Sequence, residues 1–183
     1  MRIITGKYRG RTIETVRDKS VRPATDRVKS TIFNVLQSRL AMEGAEVLDL
    51  FAGSGSLGLE ALSRGAARCV FVDSSGHVLD LLETNAEHLG CIDDCILIQA
   101  DAQAFIGKTS ERFDLIFADP PYAYEETGML PQQMIDRGLL KTDGYLIIEH
   151  TKQTIFPESA GYKIAATKEF GGTNVSFFTG MHS

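Results

Sequence analysis

Residues 116–122, I-F-A-D-P-P-Y, end an apolar run on a carboxylate, two prolines and an aromatic ring. That combination can hold a planar amino group. A nucleobase amino nitrogen is a poor nucleophile, because its lone pair is delocalised into the ring. Asp119 offers a carboxylate acceptor for one amino hydrogen, and the carbonyl of Pro120 can take the other. Pro120 and Pro121 stiffen the geometry, since proline fixes its own φ and pushes the preceding residue towards an extended conformation. Tyr122 supplies a flat surface for stacking, a contact worth about 1–3 kcal/mol. Asp119, Pro120, Pro121 and Tyr122 therefore form a catalytic set that works by positioning and electrostatic stabilisation, with Asp119 not a strong general base. The plainer reading is a strand-terminating turn, for which Asp-Pro-Pro suffices.

A second constellation lies upstream. V-L-D-L-F runs into A-G-S-G-S-L-G, where Gly53, Gly55 and Gly58 satisfy G-x-G-x-x-G, and Asp73 ends the next apolar run. Alone this fits a dinucleotide-binding fingerprint, with the acid on ribose hydroxyls. Asp49, four residues before Gly53, can orient the loop or approach a cationic amino-acid end, and Asp101 can accept from an adenine amino group. These two acids favour S-adenosylmethionine. In order and spacing, D-L-F-A-G-S-G, Asp73, Asp101 and D-P-P-Y resemble the class I methyltransferase motif series. Residue by residue the plain alternatives stand: glycines that only close a turn, and acids that only cap helices.

The elements that must position these groups are legible in the apolar pattern. E-V-L-D-L-F, R-C-V-F-V-D, C-I-L-I-Q-A, F-D-L-I-F-A-D and Y-L-I-I-E-H lack alternation, as parallel strands covered on both faces do. Leu57 to Arg64, and Val78, Leu81, Leu82 and Leu89, read as helices between them, and Pro131 opens another that buries Met134 and Ile135. Y-K-I-A-A-T-K-E-F and N-V-S-F-F-T-G, joined by Gly-Gly-Thr, read as an antiparallel hairpin. The expected fold is a doubly wound α/β class, a mostly parallel seven-stranded sheet closed by that hairpin. Upstream, R-I-I-T and T-I-E-T flank G-K-Y-R-G-R as an N-terminal β-hairpin. Thr25 then caps a helix with Val28, Ile32, Leu36 and Leu40 on its buried stripe, Phe33 beside them, and Arg27 and Lys29 off it.

At 183 residues the chain suits one domain, residues 1–183, with 1–40 as a basic extension. No window approaches the roughly 18 apolar residues of a membrane span, and the N-terminus lacks the apolar core of a signal peptide, so a cytoplasmic protein without membrane contact is expected. Cys69, Cys91 and Cys95 form no ligand pattern, and His77, His88, His150 and His182 show no metal spacing and are expected at the surface or in loops; no metal site is expected. Net charge is −5, yet residues 1–40 carry ten Lys or Arg against three acids, a local +7 that leaves −12 for the rest. A basic lobe on an acidic body is the footprint of a face that meets phosphates, or else a solvated hairpin.

R-P-A-T-D-R-V-K-S (22–30) leading into T-I-F-N-V-L, then residues 49–66 and D-P-P-Y, resembles the bacterial 16S ribosomal RNA guanine-N2 methyltransferase family, and the opening R-I-I-T-G-K-Y-R-G-R is similar to that family's N-terminal hairpin. The resemblance spans nearly the whole chain. It implies methylation of the exocyclic N2 of one guanine in 16S rRNA, in an assembled or assembling small subunit, using S-adenosylmethionine; separately, a monomer is expected. It also implies a cofactor site built from Thr25, Asp49, Phe51, Ala52, Gly53, Ser54, Gly55, Asp73, Ser74, Asp101 and Ala102. Arg2, Lys7, Arg9, Arg11, Arg22, Arg27 and Lys29 would neutralise phosphates around an extruded guanine. Ala24 stands where a threonine is usual and Ser30 where a glutamate is expected. D-P-P-Y alone leaves adenine N6, cytosine N4 and a protein glutamine open as acceptors. The glycine pattern alone admits a nicotinamide-dependent dehydrogenase, and the basic lobe alone a non-catalytic RNA-binding protein.

Overall fold

The computed structural model describes residues 1–16 and 25–181. Thr25 Oγ1 accepts from the Val28 amide at 3.3 Å and starts α1 (Asp26–Gln37), whose stripe of Val28, Ile32, Phe33 and Leu36 is buried. Leu40 falls beyond the end of that helix. The strands that follow are β1 (Glu46–Leu50), β2 (Arg68–Asp73), β3 (Cys95–Gln99), β4 (Phe113–Ala118), β5 (Leu140–His150), β6 (Tyr162–Glu169) and β7 (Asn174–Gly180). They form one sheet in the order β3-β2-β1-β4-β5-β7-β6, parallel from β3 to β5, with β7 antiparallel to both β5 and β6. Strand order reverses between β1 and β4, which is where ligands enter sheets of this kind.

Alternation along each strand splits the core in two. Val47, Phe71, Leu115, Phe117 and Ile147 face α1, α2 (Ser56–Ser63) and α3 (Gly76–Leu89). Leu48, Val70, Ile116 and Ile148 face α4 (Ala102–Lys108) and α5 (Leu130–Asp136). β3 departs from the expected cover on both faces: it is the sheet edge, and Ile96 is 39% exposed. No helix among the described residues is long and apolar enough to cross a membrane.

The N-terminal hairpin is held by one bridge pair, Arg2 with Thr12, and by the Ile3 amide on the Arg11 carbonyl at 2.9 Å. Its anchor is Glu60 on α2, fully buried, whose two oxygens accept from the Ile4 and Thr5 amides at 2.9 and 3.0 Å. Arg64 Nε lies 3.0 Å from the same carboxylate and Lys29 Nζ 3.4 Å. Lys29 also donates to the Arg2 carbonyl at 2.6 Å and to Ser56 Oγ at 3.2 Å. The expectation that Lys29 faces RNA is therefore corrected: it is completely buried, four residues before Phe33 on the same helix face, and burial lowers its pKa against the pull of Glu60. His150 is also corrected. It is buried at the end of β5, with its ring nitrogens 2.8 Å from the Thr151 carbonyl and Ser176 Oγ, and burial lowers its pKa. His77 and His88 are exposed, and His182 lies outside the described residues.

Removing one member of a buried, hydrogen-bonded ion network is strongly destabilising, because its partners stay buried without compensation. Glu60→Ala is expected to cost about 3–5 kcal/mol in urea unfolding and to strip the Ile4 and Thr5 amides of protection against hydrogen exchange. Lys29→Met is expected to cost less, since Arg64 and both amides still satisfy Glu60.

Candidate active site

Register carries the acids to one place. Phe71, Asp49, Phe117 and Ile147 are direct neighbours across β2, β1, β4 and β5, on the face that meets α1 to α3. Two residues further along β2, β4 and β5 the same side presents Asp73, Asp119 and Glu149 at the C-terminal edge of the sheet, whereas Phe51, just past β1, turns to the opposite side and packs against the α4 and α5 layer. There they border a cleft of about 580 Å³. Asp49, Phe51, Ala52, Gly53, Ser54, Asp73, Ser74, Asp101 and Ala102 line it, as do Asp119, Pro120, Pro121 and Tyr122. Thr25 and Gly55 are not in its wall: Thr25 caps α1, and Gly55 is the residue before α2.

The glycine loop is shaped by two close constraints. Gly55 has φ +79°, a conformation that favours glycine, and so turns the chain from β1 into α2. At Gly58 a Cβ would stand 2.3 Å from the Phe71 ring, so glycine lets α2 lie close on β2. Asp49 Oδ2 accepts from the Gly58 amide at 2.9 Å and fixes the helix over the strand. Asp73 spans the other side, with Oδ2 on the Gly53 amide and Oδ1 on the Ser75 amide, both at 3.0 Å. It therefore orients the loop and the start of α3 rather than capping the helix, a role taken by Ser75. Asp101 does cap: its Oδ1 accepts from the Ala104 amide at 3.0 Å at the start of α4, while the residue stays exposed at the cleft.

The carboxylates differ in electrostatic state. Burial pushes Asp49 up to about 8, helped by the charge of Asp73 and opposed by the Gly58 amide. Burial also raises Asp119 well above the usual carboxylate range, with further contributions from the charges of Glu149 and Asp49. Glu149 is raised by burial and lowered by the hydroxyl of Thr173, which donates to Oε1 at 3.1 Å. Groups buried together with like charge favour a cationic ligand. Val72, Val78, Leu57 and Ala102 add apolar wall. A cofactor with a sulfonium, an ammonium, ribose hydroxyls and a flat purine fits this chemistry: Asp49 for the cationic end, Asp73 for the ribose and Asp101 for the purine amino group.

After Asp119 the chain turns, with the Tyr124 amide on the Pro121 carbonyl at 2.9 Å, and leaves Tyr122 58% exposed at the rim. Glu125 and Glu126 begin a 3-10 turn over Glu125–Met129. Tyr124 was not singled out by sequence. Its ring meets Phe51 edge-on at 5.0 Å and its hydroxyl accepts from Gln103 at 2.7 Å, which ties the loop to α4. Phe51 has φ +61°, an uncommon conformation for a bulky residue, and such departures cluster where the surroundings fix a functional wall. Glu149 was also missed, although Y-L-I-I-E-H places an acid near its end much as F-D-L-I-F-A-D and R-C-V-F-V-D do.

The basic residues are divided between two ends of the molecule. Arg2 pairs with Asp26 at 3.2 Å beside the start of α1, and Arg27 sits 5.8 Å over the Phe170 ring, next to the turn that carries Thr173. Both lie at the cleft end. Lys7 and Arg9 do not: the Lys7 amide binds the Ser63 carbonyl at 2.8 Å at the far end of α2, whereas Ser56, seven residues earlier and about 10 Å away along the helix, lines the cleft. The Arg11 guanidinium donates to the carbonyls of His88 and Leu89 at the C-terminal end of α3. The expectation that Lys7, Arg9 and Arg11 surround the target base is thereby corrected to a distant position. Arg22 lies outside the described residues.

Residues 1–179 match the family model described as Conserved hypothetical protein 95. Ribosomal RNA small subunit methyltransferase D of Haemophilus influenzae is 34% identical over 164 residues, covering 87% of this chain and 84% of that one. The solved structure of yhhF from Escherichia coli superposes with a TM-score of 0.87 at 28% identity, covering 100% of this chain and 99% of that one. The structure of SMU.776, complexed with SAH, shares the fold at 15% identity, with a TM-score of 0.71 over 87% of this chain and 50% of that one. Matched along nearly its whole length, the chain belongs to the Conserved hypothetical protein 95 family, an rRNA methyltransferase family on the class I methyltransferase fold.

Proposed function

We propose that this protein transfers the methyl group of S-adenosylmethionine to the exocyclic N2 of one guanine in 16S rRNA, within an assembled or assembling small ribosomal subunit. It acts as a single-domain cytoplasmic monomer. The observation that carries this reading is Asp119: a half-buried carboxylate at the sheet's switch point, between the glycine-loop cleft and an exposed aromatic ring.

Bound in the cleft, the cofactor supplies an electrophilic sulfonium methyl group. Asp119 and the Pro120 carbonyl accept the two amino hydrogens, so the nitrogen lone pair turns out of the base plane towards that methyl. Accepting that methyl would leave a surplus proton on the amino nitrogen, and Asp119 would pass it to water. Tyr122 stacks on the base drawn out of the RNA. Arg2 and Arg27 meet phosphates near the target, while Lys7 and Arg9 reach phosphates at the far end of the hairpin.

Tritium transfer from labelled S-adenosylmethionine is expected in small subunits from a strain lacking the enzyme, and in neither DNA nor protein. Absence of transfer from cofactor-loaded enzyme would contradict the proposal. Asp119→Ala is expected to lower kcat by about 10²–10³-fold while RNA affinity stays within about twofold in filter binding. Replacing Lys7 and Arg9 by alanine is expected to reduce the slope of log affinity against log salt by about 1.5, with little change in kcat.

Asp49 gives a pH signature. Its pKa is raised from 3.8 to about 8, so the folded protein binds a proton that the unfolded chain releases. Asp49's contribution to stability is full below about 4 and declines as pH rises through the window up to about 8. A cation prefers the ionised form, so cofactor affinity rises across the upper part of that window. Calorimetric titration from pH 6 to 8.5 is expected to show tightening cofactor affinity in the wild type and a flatter profile in Asp49→Asn, together with a smaller fall in Tm with pH for the free variant.

A further inference from the structure

Glu149 is the carboxylate of the row that the proposed methyl transfer leaves without a role. It lines the cleft at the end of β5, beside Asp119 at the end of β4. Oε1 is held by the Thr173 hydroxyl at 3.1 Å, and Thr173 is itself buried at the turn into β7. Oε2 is buried and has no hydrogen-bond partner among the described residues. A buried acceptor without a donor is costly, and it persists where something outside the chain supplies the donor.

What that donor is follows from the base edge. Guanine presents two adjacent donors, the N1–H and the N2 amino group. Adenine N6 is flanked by N1 and cytosine N4 by N3, both acceptors, and the amide nitrogen of glutamine by a carbonyl oxygen. Neighbouring strands stand about 4.8 Å apart, so carboxylates on β4 and β5 can converge on two donors of one base. Against adenine, cytosine or glutamine, Oε2 would face a lone pair and be repelled.

We propose that Glu149 selects guanine, accepting its N1–H while Asp119 holds the N2 amino group, with Thr173 fixing the carboxylate for that contact. This rests on the guanine-N2 reading above and adds to it the residue that excludes the other amino groups.

The test uses small subunits reconstituted with 16S RNA carrying either guanine or 2-aminopurine at the methylated position. The analogue keeps the N2 amino group but turns N1 into an acceptor. Wild-type enzyme is expected to favour guanine in kcat/KM by at least about tenfold. Glu149→Gln offers an amide that can donate to N1, so this preference is expected to fall by about tenfold or more, with cofactor affinity in equilibrium dialysis within about twofold. Thr173→Val, which only frees Oε1, is expected to lower the preference by a smaller factor, and it decides the question should the glutamine variant fail to bind cofactor. An unchanged preference in a cofactor-binding variant overturns the assignment of Glu149. A wild-type methyl group found anywhere but on guanine N2 overturns the underlying reading as well, so the two failures are distinguishable.

Discussion

Carboxylates brought together on one face of a sheet repel one another, and the active site depends on how that repulsion is held. Asp49, Asp73, Asp119 and Glu149 reach the cleft because β2, β1, β4 and β5 pair in parallel register. Backbone amides, not buried cations, restrain the first two: Gly58 donates to Asp49, and Gly53 and Ser75 donate to Asp73. The uncompensated charge shows in the raised pKa values of Asp49, Asp119 and Glu149. Glu60, on the same layer of the fold, is the contrast. It is fully buried, but Lys29, Arg64 and two amides surround it. A compensated acid joins the hairpin to the body, while the cleft acids have no buried cation beside them among the described residues, as the proposed hold on a cationic cofactor and an amino group requires.

The same logic separates what was legible in the sequence from what was not. V-L-D-L-F followed by A-G-S-G and F-D-L-I-F-A followed by D-P-P-Y could be placed because each motif is continuous in the chain and its strand is apolar throughout. The seven strands, the terminal hairpin and the capping of α1 by Thr25 follow local patterns that tertiary packing leaves intact. Lys29 escaped because its reason for being buried, Glu60, lies far along the sequence on another helix. His150 escaped for the same reason, since its partner Ser176 belongs to β7, whose return against β5 is a long-range pairing. Glu149 could have been found as an acid near the end of an apolar run, but only the register shows that it shares a face with Asp119.

Charge composition foretold a basic lobe without its layout. Beside α2 the hairpin runs from the cleft end at Arg2 to the far end at Lys7, because the Glu60 and Ser63 contacts space its amides along the helix. The lobe thus spreads its cations over the length of a helix rather than ringing one base, a distribution suited to a substrate much larger than a nucleotide.

On the proposed reading, the carboxylate row presents one amino group of one base to the methyl donor. Mass spectrometry of nucleosides from methylated small subunits tests it most directly. N2-methylguanosine at a single position of the 16S RNA is the expected result; a methyl group on adenine N6, cytosine N4 or a protein amide would contradict it.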